Sequence, residues 1–291
     1  TYKDFMKEDC DLVCVLTPSG THFDIVKNLL ENKRNVLVEK PMALLPDECR
    51  ELKEKAKENG VRLYCGFQNR FNKAIVKAKE AVDDCRIGKI ISCHISLEWC
   101  RLQEYYEDEW HGRWDLDGGV IAQQAIHHID AAIYLLGKVK KVVGNGSNIE
   151  NHLEAEDTFT GLMEFENGIF ATISASTAFR PKDKEAKIII NGTKGAIYIY
   201  GIAINKLTIV TERYKETVEE EFETGYGLSH LPMIRAIKLD LTKQCESISQ
   251  LTIDTSIHTT EVISAFYYSS ETRAWSRCGE DISKKWGKRV E

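Results

Sequence analysis

Two short stretches carry side chains able to move a proton. The first is Glu39-Lys40-Pro41, where Asn35-Val36-Leu37-Val38 has strand character and runs into a charged pair. The proline then closes the strand off by fixing φ and removing a ladder donor. A lysine at such a point is either a charge paired with a neighbouring carboxylate or a base whose pKa its surroundings pull down. The second stretch is Asp117-Gly118-Gly119-Val120-Ile121-Ala122-Gln123-Gln124-Ala125-Ile126-His127-His128-Ile129-Asp130. On a single helix, Gln123, His127 and Asp130 would share one polar face. That face reads either as a buried histidine satisfied by a glutamine or as a proton-transfer group turned toward a site. His127 and His128 diverge by about 100° as helix neighbours and do not easily share a metal ion. The paired glycines permit close backbone approach and leave N–H groups open at the helix start.

The elements that position these residues follow from apolar patterning. Residues 11–16 form a continuous apolar run, expected as a strand covered on both faces, and it stops at Thr17-Pro18-Ser19-Gly20. A helix with Phe23, Val26, Leu29 and Leu30 on one side leads to the strand at Asn35. Pro46-Asp47-Glu48 opens the next helix, Asn59-Gly60 closes it, and a strand over 61–67 follows. Strand, helix, strand, helix, strand at this spacing predicts a parallel, doubly wound sheet. Ligands bind outside the carboxyl ends of such strands, where Glu39 and Lys40 lie. From Asn69 a helical pattern carries Phe71, Ile75, Ala78 and Val82, and a strand runs over 89–100. Strand-like runs at 139–144, 158–165, 169–176, 187–191, 196–200 and 206–210 then predict a mainly antiparallel sheet. Helices are expected over 117–136, 231–243 and 257–277.

The totals narrow the function classes. The chain has 291 residues, 43% of them hydrophobic and 29% charged, an ordinary globular balance. The net charge, 39 − 45 = −6, argues against nucleic acid or an anionic membrane as the main partner. No apolar run reaches the roughly 18 residues that span a bilayer. Thr1-Tyr2-Lys3-Asp4-Phe5 lacks a basic segment leading into an apolar one, so no secretion signal is read there. The chain starts at a threonine and opens as the end of a helix leading into a strand, so a missing upstream segment is expected. Nine cysteines without a C-x-x-C pair are read as reduced and cytoplasmic, with Cys14, Cys65 and Cys93 as buried thiols and no metal site.

Thr17-Pro18-Ser19 with His22, then Glu39-Lys40-Pro41, then Asp117-Gly118-Gly119 followed by Ile126-His127-x-x-Asp130 resemble, in this order and over nearly the whole chain, the Gfo/Idh/MocA family of NAD(P)-dependent oxidoreductases. Trp99-Cys100-Arg101 with Tyr105-Tyr106, the Trp110-x-Gly112-x-Trp114 run and Gln68-Asn69-Arg70-Phe71 are similar to the branch that includes UDP-N-acetylglucosaminuronate 3-dehydrogenases of surface-polysaccharide synthesis. The resemblance implies an α/β protein: a partial Rossmann parallel sheet over 1–88 and an α+β domain over 89–291 with a large, mainly antiparallel open sheet. A C-terminal helix is expected to pack back on the first domain. It implies NAD or NADP as cofactor, a sugar or nucleotide-sugar substrate, a homodimer or homotetramer, and neither nucleic acid nor membrane as partner.

Carried over by position, Lys40 stands beside the reacting hydroxyl and His127 shares its proton transfer. Thr17, Pro18, Ser19, His22, Glu39, Gln68 and Trp110, with Lys40 itself, would meet the cofactor. Arg101, Tyr105, Gln123, Tyr226 and His230, with Lys40 and His127, would form the sugar pocket. Two departures stand out. Gln123 replaces the aspartate usual four residues before the histidine, and a glutamine can orient a group but cannot take its proton. No G-x-G-x-x-G fingerprint occurs in the chain, so the first strand-helix-strand unit, which holds the pyrophosphate, is expected to be absent. A free lysine, with a pKa of about 10.4, is a poor base at neutral pH. Burial, a protonated His127 and the positive charge of an oxidised nicotinamide are expected to lower it. Two other readings stay open: an inositol or free-sugar dehydrogenase of the same family, and a cofactor-poor binding protein or truncated gene product.

Overall fold

The computed structural model describes residues 10–220, 227–244 and 248–288. Three short apolar strands, β1 (Val13–Val15), β2 (Val36–Val38) and β3 (Leu63–Cys65), pair in parallel, with Val36 opposite both Val13 and Leu63. Helices α1 (His22–Glu31) and α2 (Pro46–Asn59) make the crossovers. Proline at the first turn of α2 loses a donor that has no intrahelical partner there, and Gly60 ends the helix in the left-handed region at φ 67°. All three residues of β2 are buried, as a central parallel strand requires. β1 departs from expectation. It is the edge strand of this sheet, and Cys14 and Leu16 are exposed, so only one of its faces is covered among the described residues.

After a 3₁₀ turn (Gln68–Phe71) and α3 (Lys73–Asp83), the chain enters a nine-stranded sheet. Its strands are β4 (Ile90–Glu98), β5 (Val139–Ser147), β6 (Thr158–Phe165), β7 (Phe170–Ser176), β8 (Glu185–Gly192), β9 (Gly195–Tyr200), β10 (Lys206–Thr211), β11 (Lys215–Glu219) and β12 (Ser276–Arg277). They lie in the order β11-β10-β9-β8-β4-β7-β6-β5-β12. The β4–β7 pair is parallel and the other pairs antiparallel. Alternation sorts the faces: Phe159, Met163, Ala171 and Ile173 are buried, whereas Leu162 and Phe170 point out and are 40% and 51% exposed. The strands β11 and β12 fall outside the predicted set, being short and mostly polar.

The expected helix over 117–136 is two pieces, α4 (Val120–Gln123) and α5 (Ile126–Leu136). The Val120 carbonyl accepts from both the Gln124 and the Ala125 N–H (3.1 and 2.8 Å), which widens the turn at the join. Helix α6 (His230–Leu241) follows the strands, and α7 (Ile253–Thr272) then joins the two sheets. Its Phe266 meets Phe159 edge-on under the large sheet, at 5.3 Å between ring centroids. Its other side faces α2 through Glu261 on Arg50 and Asp254 on Lys53, both at 2.5 Å. One apolar core therefore runs through both layers. Among the described residues no helix is long and apolar enough to cross a membrane.

Candidate active site

The carboxyl ends of β2 and β3 and the join between α4 and α5 meet around a cavity of about 500 Å³. Lys40 and Gln68 come from the strand ends, and Gln123, Gln124, His127 and His128 from the helix pieces. Trp99, Arg101, Tyr105 and His111, from the segment after β4, and Asp183, before β8, form the facing wall, and the β9–β10 turn at Ile202-Ala203-Ile204 adds an apolar patch. Asp130, expected on the face of Gln123 and His127, turns away from the cavity. It is buried and takes two hydrogen bonds from the Arg70 guanidinium, at 2.8 and 2.6 Å.

Lys40 Nζ donates to the Gln123 carbonyl at 2.8 Å and also to Gln123 Oε1. Both acceptors are neutral, so they hold the amine without the full charge of a carboxylate beside it. Burial lowers the Lys40 pKa, and the carboxylates of Asp117 and Glu39 oppose that shift. His127 differs from expectation. Burial, followed by the nearby charge of Lys40, pushes it well below its ordinary value, so it is a neutral imidazole and not the cation expected to depress Lys40. Its ring meets Phe67 edge-on, and Nδ1 is sealed off without a partner, which leaves Nε2 to meet a ligand. A primary amine with a lowered pKa and a neutral imidazole thus share one cavity. Together they can accept a proton from a hydroxyl and hold the resulting oxygen.

The segment from Trp99 to Gly119 is braced from several sides. Arg101 Nη1 donates to Asp183 at 2.9 Å, and its guanidinium lies over Trp99 and Tyr105, 5.1 and 5.7 Å from the ring centroids. Asp117 is buried, accepts from the Gly112 N–H at 3.0 Å, and is pushed up to about 7 by burial. The glycine N–H groups read as open to a ligand are taken: Gly118 donates to the Arg113 carbonyl and Gly119 to the Tyr267 hydroxyl, at 2.8 and 2.9 Å. Gly119 is needed for close approach, since a Cβ there would stand 2.2 Å from Glu156 Oε2. Glu156 accepts from the Ile121 N–H and the Tyr267 hydroxyl at the start of α4, and burial pushes it up to about 8. From beneath, Trp286 donates its indole N–H to the Asp117 carbonyl at 2.9 Å, and the Gly287 N–H bonds the Trp114 carbonyl.

The other residues singled out in the sequence have varied places. Thr17, Pro18 and Ser19 make the turn after β1, and Thr21 bonds Thr17 and Pro18 across it. His22 is buried with Nδ1 2.7 Å from the Pro41 carbonyl and Nε2 2.8 Å from the Thr17 carbonyl, so it ties that turn to the one after Lys40. Burial lowers its pKa against the pull of the two carbonyls. Glu39 accepts from the Lys40 N–H and lies against Gly66. Trp110 stacks on His111 at 3.7 Å and is not part of the cavity wall. His230 begins α6 off the wall, near enough for its charge to lower His127. Tyr226 lies outside the described residues.

With this geometry in view, residues 75–198 match the GFO/IDH/MocA C-terminal domain, and residues 2–67 match the oxidoreductase family with an NAD-binding Rossmann fold. The chain belongs to the Gfo/Idh/MocA family. It is 31% identical over 208 residues to scyllo-inositol 2-dehydrogenase (NAD(+)) of Bacillus subtilis, covering 70% of this chain and 59% of that protein. It is 32% identical over 195 residues to 2,7-anhydro-N-acetylneuraminate hydratase of Escherichia coli, covering 65% and 51%. It therefore spans about half to three-fifths of these curated relatives. Among solved structures, the WlbA dehydrogenase of Bordetella pertussis in complex with NADH and UDP-GlcNAcA matches with a TM-score of 0.84 and 26% identity, over 95% of this chain and 82% of that one.

In this Gfo/Idh/MocA chain, Asn69, Gln124, His128 and Asp183 line the cavity without having been read as candidates. His127 and His128 diverge as helix neighbours, as expected of a pair that shares no metal ion, yet both line this cavity. Asp183 has no local sign, sitting in a polar loop 82 residues from Arg101. The pairing of Glu98 with Glu185 is what brings the two together.

Proposed function

We propose that this chain carries the active site of an NAD-dependent dehydrogenase of the cytoplasm. It would oxidise a secondary hydroxyl of a nucleotide sugar, and a UDP-N-acetylhexosaminuronate reacting at C3 fits best. The observation that carries the reading is the convergence of Lys40, held by Gln123, and neutral His127 on one cavity at the carboxyl ends of a parallel sheet. Removing hydrogen from a secondary alcohol separates it into a proton and a hydride. His127 Nε2 and Lys40 Nζ share the proton, and the Lys40 ammonium then holds the oxygen as its charge develops. Gln123 keeps Lys40 aimed while taking no proton itself.

The strand ends fit the nicotinamide half of the cofactor, because Gln68 there offers a buried Oε1 with no protein donor, suited to a carboxamide N–H. Thr17, Glu39 and Lys40 would edge the same half, and NAD, when bound, supplies the hydride acceptor. The nucleotide-sugar substrate is supported by the likeness to the WlbA dehydrogenase solved with UDP-GlcNAcA and by the cationic, aromatic wall of Arg101, Trp99 and Tyr105. The scyllo-inositol dehydrogenase relative favours a second reading, a cyclic polyol as substrate. Turnover with NAD is to be measured on UDP-GlcNAcA and scyllo-inositol, with Lys40→Met and His127→Ala beside the parent chain. Activity on the UDP sugar should fall at least about 100-fold in each variant. Near-normal turnover in either variant would remove that residue from the proton transfer, and turnover of inositol alone would exchange the substrate.

A further inference from the structure

Several buried polar atoms around the cavity lack a hydrogen-bond partner within the protein. His128 is 2% exposed, and neither ring nitrogen makes a well-formed hydrogen bond, although the Gln124 carbonyl lies close enough to act on one of them. Beside it, Gln124 is 5% exposed with Oε1 unpartnered, and its amide nitrogen reaches only the Tyr105 hydroxyl at 3.4 Å. Trp99 meets His128 edge-on, 6.1 Å between ring centroids, and its indole N–H is also buried without an acceptor. All three line the cavity. Buried polar groups in folded proteins are nearly always satisfied, so a cluster of unsatisfied ones on a cavity wall marks where a ligand completes the bonding.

The chemistry of the missing partner can be read from what these groups offer. Burial holds His128 neutral, with the Gln124 carbonyl one turn back opposing in part, and a neutral imidazole has one donor and one acceptor. Gln124 Oε1 adds an acceptor and Trp99 a donor. The matching group therefore offers an N–H and a C=O side by side without net charge. From this complement we propose that Gln124, His128 and Trp99 form a subsite for an acylamino substituent on the sugar, next to the reacting carbon, and so set substrate specificity. A carboxylate would leave the acceptors facing a negative charge, and a lone hydroxyl is too small to meet all three groups. The inference rests on the proposed nucleotide-sugar reading and adds which substituent is recognised and by which residues.

Calorimetric titration of the full chain with UDP-GlcNAcA and with UDP-glucuronate, which has a hydroxyl in place of the acylamino group, separates the two claims. The parent chain should bind the acylamino sugar at least about tenfold more tightly. His128→Phe and Gln124→Leu should each erase that preference, with a larger loss for the acylamino sugar than for UDP-glucuronate, and His128→Asn should restore part of it. Should His128→Phe fail to fold, as judged by its thermal melt, Gln124→Leu decides alone. Equal binding of the two sugars by the parent chain, or a preference that survives both substitutions, overturns the subsite and leaves the nucleotide-sugar reading standing. Binding of neither sugar overturns both.

Discussion

At the scale of single residues, the site turns on how Lys40 is held. Burial pulls its pKa down, and its closest acceptors are the uncharged carbonyl and amide oxygens of Gln123. A carboxylate at position 123 would favour the ammonium and raise that pKa. Gln123→Asp should therefore shift the rising limb of the pH–rate profile for alcohol oxidation to higher pH, by about one unit or more. An unchanged profile would mean that Lys40 is not the group titrating. Lys40 and His127 could be singled out in the sequence because Thr17-Pro18, Glu39-Lys40-Pro41, Gly118-Gly119 and His127 follow one another in the order of the family, whereas their local signs alone left structural readings open. Their protonation states were not legible, because they depend on burial and on charges brought in from distant positions, such as Asp117 beside Lys40. That is how an expected His127 cation became a neutral ring.

At the scale of elements, two buried polar joints hold the helices that present the site. Arg70, from the turn after β3, clasps Asp130 of α5 and reaches the Gln250 and Thr252 carbonyls and Ser256 near the start of α7. Arg70→Met would leave Asp130 buried without its counter-charge, at a cost of about 3–5 kcal/mol measurable by urea denaturation. Adding Asp130→Asn should recover much of that loss. The second joint is Glu156 under α4. Its folded pKa, about 8, lies above the ordinary 4.5, so the folded state holds a proton that the unfolded chain releases across that window. Stability from this group is complete below about pH 4.5 and is lost as pH rises toward 8, with a slope up to about 1.4 kcal/mol per pH unit. Glu156→Gln should flatten that part of the stability–pH curve in thermal melts, and a slope equal to that of the parent chain would count against a buried, protonated Glu156. The strand and helix order was legible from apolar periodicity. The break between α4 and α5 was not, since it depends on one carbonyl accepting twice and no residue type announces that.

At the scale of the whole molecule, the large sheet has one face packed on α7 and one bearing exposed apolar side chains, with Leu162 opposite Thr172 and Phe170 opposite Ser92 and Glu164. A sheet face that exposes side chains such as Leu162 and Phe170 is expected to meet a second copy of the chain. Light scattering after size exclusion should give a dimer or tetramer, and Leu162→Glu combined with Phe170→Lys should shift it toward monomer while the far-ultraviolet spectrum is kept. A monomeric parent chain would overturn this. The fastening of the cavity wall has a consequence of its own. Among the described residues the last one lining the cavity is Ile204, whereas the indole that holds the Asp117 carbonyl belongs to Trp286, 169 positions beyond its partner. A ribosome therefore finishes these described lining residues long before it makes the one that pins their loop, and a nascent chain halted in between would carry them without their brace. Synthesis and site assembly thus run on different clocks, with the pocket set only once Trp286 has been made.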